Sequence, residues 1–581
     1  MNTNISLKSA LSLSLLLSGS LAAMPANAAP PAETLRVVVN SNQDTAARDN
    51  VITLREAIAL INGDLKLSDL TETERRQVSR PVSSNEQYKN RPVSRIEFQL
   101  PTEQTTIRLQ QLLPAIVQSG VVVDGRNTVN VSNSIPGFSV TANTDESDAT
   151  TANPTIALTA DNGKAIARGL TLSANGITVK NLSIAGFTSQ HPSTATEPPA
   201  DIFIAAVQNQ DIRLETLETD LVPQDITIVN NWLGRLPQGK PEMRSAFGVS
   251  IFNGNAVTVK GNTIADHDGS GIITSIQAQR FSIQGNTIEK NGFAGMPDAL
   301  RIEGDIAGGE IFGNTIQNNA GSGLYMFNPK GAIKIYQNRI IGNSQRYIRA
   351  AIFVTGQQHQ IFDNQISQQS GAGVVVAAYP ASYGNKILNN QFTDIKGLPI
   401  DLVSQINTNP NDYQNGDGIN RITDSRERGE KTGNGGINSP TLLSNELFLS
   451  PIDRTVEFSG TTLPNADVDI YKIPANCDLT TSSMNSAVKI GSVRSDAQDK
   501  FSVLLKDLKP GDRLAATVTT TNFGTSEMTR PVVIRELAGM QVEVPPPAPV
   551  EPPIVPTIEP PPSPVTPPPR PRPVIPMPQL W

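Results

Sequence analysis

Cysteine occurs once in the 581 residues, at Cys477, and histidine three times. A single cysteine cannot close an intrachain disulfide, so the chain is not a disulfide scaffold. One cysteine and three histidines also argue against a Cys/His zinc cluster. Charged residues are 17% of the chain, aromatics 5%, and the formal net charge is −7. A chain of that sign lacks the basic face that phosphate neutralisation requires, which argues against nucleic acid as a partner. Long apolar runs are missing beyond residue 23, so no transmembrane segment is expected there. Proline is ordinary in the body but dense at the end: 18 of the 44 prolines lie in residues 545–581.

What is present divides by segment. Lys8 precedes the apolar run Leu11–Ala23, and Ala26-x-Ala28 follows. A basic start, a short apolar stretch and small residues at a cut site predict a signal peptide over residues 1–28. The mature protein is therefore expected to be exported, to the extracellular space, cell surface or periplasm.

The middle of the chain repeats a short pattern: apolar, two residues, asparagine, one residue, apolar. Its asparagines are Asn231, Asn262, Asn286, Asn314, Asn338, Asn364 and Asn390, spaced by 31, 24, 28, 24, 26 and 26 residues. Apolar and polar residues alternate around them, as at Val257/Val259 and Ile333/Ile335, which is strand patterning. Three short strands per ~25 residues cannot close a sheet within one repeat. They close by winding, each strand pairing with its equivalent in the next coil at the ~4.8 Å interstrand spacing. The expected fold is all-β: a right-handed parallel β-helix over 96–437. The asparagines should sit at a sharp turn in left-handed backbone and hydrogen-bond their counterparts above and below.

Before the coils, residues 29–62 read as a strand and then a helix. Thr53 and Glu56 have capping-box spacing, and Leu54, Ala57, Ile58 and Ile61 form one apolar stripe. Such a helix suits the open end of a β-helix, where a sheet edge and core would otherwise be bare. Residues 63–95 read as a polar loop, and 137–165 as an excursion from the coils. Residues 438–540 show short alternating strands with frequent turns, a small β-sandwich. Residues 541–581 form a disordered or polyproline II tail, a spacer or a docking strip for a partner.

Thr53-Leu54-Arg55-Glu56-Ala57-Ile58, Ile96-x-Phe98-x-Leu100-Pro101, Leu113-Pro114-Ala115-Ile116 and Val123-Asp124-Gly125 together are similar to bacterial exported β-helix proteins. Those proteins carry a Cys-Ser-Leu-Arg-Glu-Ala signature and belong to the pectin-lyase-like superfamily. The resemblance runs from about residue 34 to 440, and includes the exit segment Gly397–Leu402 with Asn409, Asn411 and Asp412. The family cysteine is absent, since Ile52-Thr53 stands there. The sandwich resembles bacterial immunoglobulin-like modules. The superfamily includes lyases, hydrolases, epimerases and non-enzymes, so the resemblance implies a fold more than an activity.

Candidate catalytic residues are Asp266, His267 and Asp268, a local acid/base cluster that resembles those of uronate epimerases and lyases, together with Arg301 and Glu303, which stacking the coils places in outward columns. Against this, the three residues sit at a turn, where Asp, His and Gly are ordinary. Stacking the coils gives a second candidate. Two outward columns of one sheet would carry Phe252, Tyr325, Phe327 and Phe353, an aromatic face suited to sugar rings. Alternatively, a loop or the exit segment covers that sheet. No organic cofactor is implied. Calcium is a candidate ion, with Asp412 and Asp417 in an oxygen-rich stretch whose spacing departs from the EF-hand. The leading expectation is non-catalytic binding or adhesion to extracellular or envelope polysaccharide. The alternatives are a polysaccharide lyase, epimerase or hydrolase, and a purely structural spacer.

Overall fold

The computed structural model describes residues 34–80, 93–128, 153–188, 198–206, 222–327, 330–379, 381–404, 414–474 and 486–537. The signal peptide, Asp412, Cys477 and the proline-rich tail lie outside the described residues. Within them, short strands separated by corners wind into a right-handed parallel β-helix with three sheets. One register line runs Val259, Ile283, Ile311, Ile335, Ile361, Ile387, each paired in parallel with the next coil. All six are buried, so one aliphatic residue per coil builds a continuous core. At ~25 cal/mol per Å² of apolar surface, such stacked aliphatics are a main stabilising term.

The first sheet has 12 strands, from the Val78–Ser79 edge to Lys386–Leu388. The second has nine, from Arg168–Leu172 to Ile400–Val403. The third begins at Thr106–Leu109 and reaches Gln391–Ile395, then continues into the sandwich through Ser486–Arg494. That join is antiparallel, Phe392 opposite Ala487 and Thr393 opposite Ser486. The sandwich therefore extends the last coil, and its strands cap an edge that would otherwise template pairing with another chain.

The N-terminal end is closed by the helix Leu54–Asn62. Thr53 and Glu56 make a reciprocal capping box, and Gly63 ends the helix at φ 84°, a left-handed position that glycine tolerates. Arg55 turns away from the stripe to bind both oxygens of Asp44, at 2.8 and 2.9 Å. It also donates to the carbonyls of Gln111 and Leu112.

Two expectations need correction. Residues 63–95 are not only loop: Glu72–Arg75 is a short helix with its own Thr71/Glu74 capping box, and Val78–Ser79 pairs antiparallel with Arg36–Val37. The polar composition hid this, because caps and an edge strand are built from polar residues. The excursion is also shorter than expected, since Ile156–Ala160 is a coil strand paired to Thr106–Leu109. No helix among the described residues is long and apolar enough to cross a membrane.

Candidate functional site

The asparagines stack as a hydrogen-bonded column. The backbone N–H and Nδ2 of Asn262 both donate to Oδ1 of Asn286, at 2.9 and 3.0 Å, and Nδ2 also donates to Ile228 O. The same pattern repeats at Asn231, Asn286, Asn314, Asn338 and Asn364, ending on Asn390. Each buried amide is thereby satisfied from both sides. The expectation of left-handed backbone at these asparagines is corrected. It is the preceding residue that has positive φ: Asn230, Gly261, Gly285, Gly313, Gln337, Asp363 and Asn389. A left-handed residue turns the corner, and the next residue points its side chain into the column.

That two-residue corner explains Asp266-His267. Asp266 holds the left-handed position at φ 62°, and His267 takes the column position. A second column starts there: the His267 backbone N–H donates to Asn291 Oδ1, Asn291 to Asn319, and Asn319 to Asn343. The His267 ring is fully buried, its Nδ1 2.8 Å from Asn291 Oδ1 and its Nε2 2.9 Å from Asp201 Oδ2. Burial raises the Asp201 carboxyl above its ordinary range despite its bonds to His267 and Ser245. Gln358-His359 repeats the device with Asn385 and Asn434. Desolvation holds the His359 ring down at about 4, and this neutral ring accepts from Ile333 N–H and donates to Thr355 O.

Asp266, His267 and Asp268 therefore do not converge as an acid/base site. His267 points inward, and Asp266 points outward to Arg235 at 2.9 Å. Asp268 is half-buried, and desolvation raises its carboxyl despite Arg244 and His267. Arg301 and Glu303 bind each other at 2.5 Å. The Arg301 guanidinium also covers one face of Tyr325, 4.4 Å from the ring centre. Buried Asp298, raised by desolvation, faces Arg349 and Arg301.

The aromatic columns face outward but are not an open platform. Tyr325 and Phe353 are 7% and 2% exposed, in a buried cluster separate from the main core. Tyr325 is sandwiched between Arg301 and Phe353, whose ring centre is 5.3 Å away. Phe252 is buried against Phe203. The stretch after the last coil lies over this sheet: Gln414 O accepts from Ala350 N–H, and the Asp417 and Gly418 N–H groups donate to Asp401. Only Phe327 keeps 37% exposure, stacked on Tyr379. The Asp417 carboxylate accepts from Ser404 N–H. Among the described residues no group of three His, Cys, Asp or Glu is placed to hold a metal ion.

A different feature is open to solvent. A groove of about 760 Å³ lies at one corner of the third sheet, lined by Trp232, Arg235, Lys240, Arg244, Lys290 and Phe293 among others. Trp232 stands half-buried beside the first column asparagine, and Phe293 is exposed in the coil lengthened between Asn286 and Asn314. Gly234 at φ 82° carries the chain past Trp232, where a Cβ would strike Ala265 O and the His267 ring. Arg235 is locked to Asp266 and Glu289 at 2.9 and 2.7 Å. Burial pushes Glu289 up, but its bonds to Gln317 and Arg235 win and leave it below its ordinary range. Sequence reasoning missed this groove, although a signal was present. The position after each column asparagine reads Thr263, Thr287, Thr315, Arg339, Gln365 and Gln391, and only the first copy is tryptophan.

Among solved structures, the chain is similar to a protein titled Geobacillus virus E2 ORF18, at 9% identity over 76% of this chain and 69% of that one, TM-score 0.37. It is similar to the periplasmic alginate epimerase AlgG, at 13% identity over 56% and 66%, TM-score 0.31. It is also similar to PfbA, a surface adhesin of Streptococcus pneumoniae, at 13% identity over 53% and 81%, TM-score 0.32. A search of curated proteins finds no match. The coils themselves match the family model described as right handed beta helix region, over residues 226–359 and 298–392.

Proposed function

We propose that the protein is an exported polysaccharide-binding protein that holds its ligand without cleaving it, through the groove walled by Trp232 and Phe293. The groove itself carries the reading: a solvent-open trough with two aromatic walls and polar side chains, the usual make-up of a sugar site. The absence of catalysis is supported by where the acids and bases go. Asp266, the carboxylate lining the groove, is held by Arg235, and His267 lies beneath in the asparagine column. A general acid or base must reach the proton it moves, which buried His267 does not, and Asp266 meets the groove only as an ion pair with Arg235.

The test is retention of the full chain on a panel of immobilised polysaccharides, with product assays in parallel. Trp232→Ala should weaken retention about tenfold or more, which is ~1.4 kcal/mol. Retention unchanged in that variant, with the coils intact by circular dichroism, overturns the site. Release of unsaturated products or new reducing ends overturns the non-catalytic reading.

A further inference from the structure

The groove's own carboxylate is spoken for: Asp266 and the neighbouring Glu289 both hold Arg235, and Glu289 holds Gln317 as well. The lip carries three further cations, Lys240, Arg244 and Lys290. All three are exposed and line the groove, yet none has an ion-pair partner within 4.0 Å among the described residues. They come from two separate stretches, the corner after Trp232-Leu233 and the residue following Glu289, so they border the trough from more than one element. Asp266 is spent on Arg235, and half-buried Asp268, outside the lining, feels the Arg244 charge without an ion pair within 4.0 Å among the described residues. Glu242 lines the neighbouring hollow with Lys240.

We infer that the glycan bound in this groove is anionic, its rings resting on Trp232 and Phe293 and its acidic substituents meeting Lys240, Arg244 and Lys290. This rests on the groove being the glycan site. The aromatic walls favour sugar rings over a bare polyanion, because a ring with an axial C–H face gains from stacking as well as charge. Three exposed cations without internal partners incur no ion-pair loss on meeting an anion, and their contribution should be screened by salt.

The experiment measures affinity of the full chain for four probes: polygalacturonate, dextran sulfate, neutral dextran and a DNA oligonucleotide. The proteins are wild type, Trp232→Ala, and the triple variant Lys240→Gln, Arg244→Gln, Lys290→Gln. These three side chains are exposed and make no ion pair within 4.0 Å among the described residues, so the triple variant should fold as wild type does. The expected result is binding of one or both acidic glycans at least tenfold tighter than dextran, weakened by salt. The triple variant should lose that margin and most of the salt dependence, and Trp232→Ala should weaken binding to every glycan about tenfold or more. Polygalacturonate against dextran sulfate separates carboxylate from sulfate as the recognised group. Dextran bound as tightly as the acidic glycans, with Trp232 required, overturns the charge inference and leaves the glycan site standing. DNA bound as tightly as the acidic glycans also overturns the inference. No glycan bound, or binding indifferent to Trp232, overturns the site and the inference together.

Discussion

The two ends of the β-helix face the same problem and solve it with opposite electrostatics. At the N-terminal end the closing helix brings a cation to a carboxylate: Arg55 grips buried Asp44 with two bonds, and Arg36 grips Glu97 at 2.7 Å. At the C-terminal end the exit segment and sandwich bring carboxylates to one another. Asp401 of the last coil, Asp417 of the exit segment and Glu527 of the sandwich share one buried region. Neither Asp401 nor Glu527 has an ion-pair partner among the described residues, and backbone and amide N–H groups do the binding instead. Glu527 accepts from Leu402 N–H and from both the backbone and side chain of Asn420. Burial, with the neighbouring carboxylates, raises Asp401 well above its ordinary range and Glu527 to about 8. A cation makes a closure indifferent to protons over the neutral range, whereas a set of acids makes it depend on them.

The contrast is broken most directly at the N-terminal end. Arg55→Ala leaves Asp44 buried without its partner and should cost about 3–5 kcal/mol in denaturant unfolding. A loss under about 1 kcal/mol would mean that the pair is no more than a surface contact.

The C-terminal end should instead respond to pH. Raised folded values mean that the folded chain holds more protons than the unfolded one, so this stability is present at low pH and declines as pH rises. The decline runs from the ordinary carboxylate range through about 8. Between pH 6 and 8, protection of the Leu402 and Asn420 amides in hydrogen exchange, corrected for intrinsic rates, should fall at least tenfold, about 1.4 kcal/mol. The Gln110 amide, bonded to Asp44 at the other end, should not follow. In Asp401→Asn the amide mimics the protonated acid, and the fall should be reduced. Equal pH dependence at both ends, or none at either, removes the distinction.

The smallest effect sharpens the N-terminal side. Thr53→Ala removes one half of the capping box and should cost about 1 kcal/mol, read by thermal unfolding. A larger loss would show that the cap, rather than Arg55, holds that end.

The winding itself was legible because it obeys a short period. One aliphatic residue per strand and one asparagine per corner give the coils without any long-range knowledge. Asn291, Asn319 and Asn343 were equally visible, each five residues after a column asparagine, and mark the second column. The histidines were harder. His267 and His359 hold column positions by hydrogen-bonding capacity, so a search for repeated asparagines passes over them. The aromatic face could not be judged from alternation. Alternation says that Tyr325 and Phe353 point out of the coil. Part of their cover is Arg301 on the neighbouring coil, and Gln414, which bonds to Ala350 beside them, comes some 60 to 90 residues later in the chain. The groove needed two separate stretches brought to one corner, and only its odd tryptophan was visible beforehand.

The asparagine column has a direction. In each coil the backbone N–H and Nδ2 point to the following coil, whose Oδ1 receives them, so the side-chain dipoles run head to tail from Asn231 to Asn390. A partly built stack therefore always presents donors at its growing end and acceptors at its starting end. A coil fits at either end only in the orientation of the rest, because a flipped coil would set donor against donor. The column thus writes the sense of the winding into the side chains as well as the backbone.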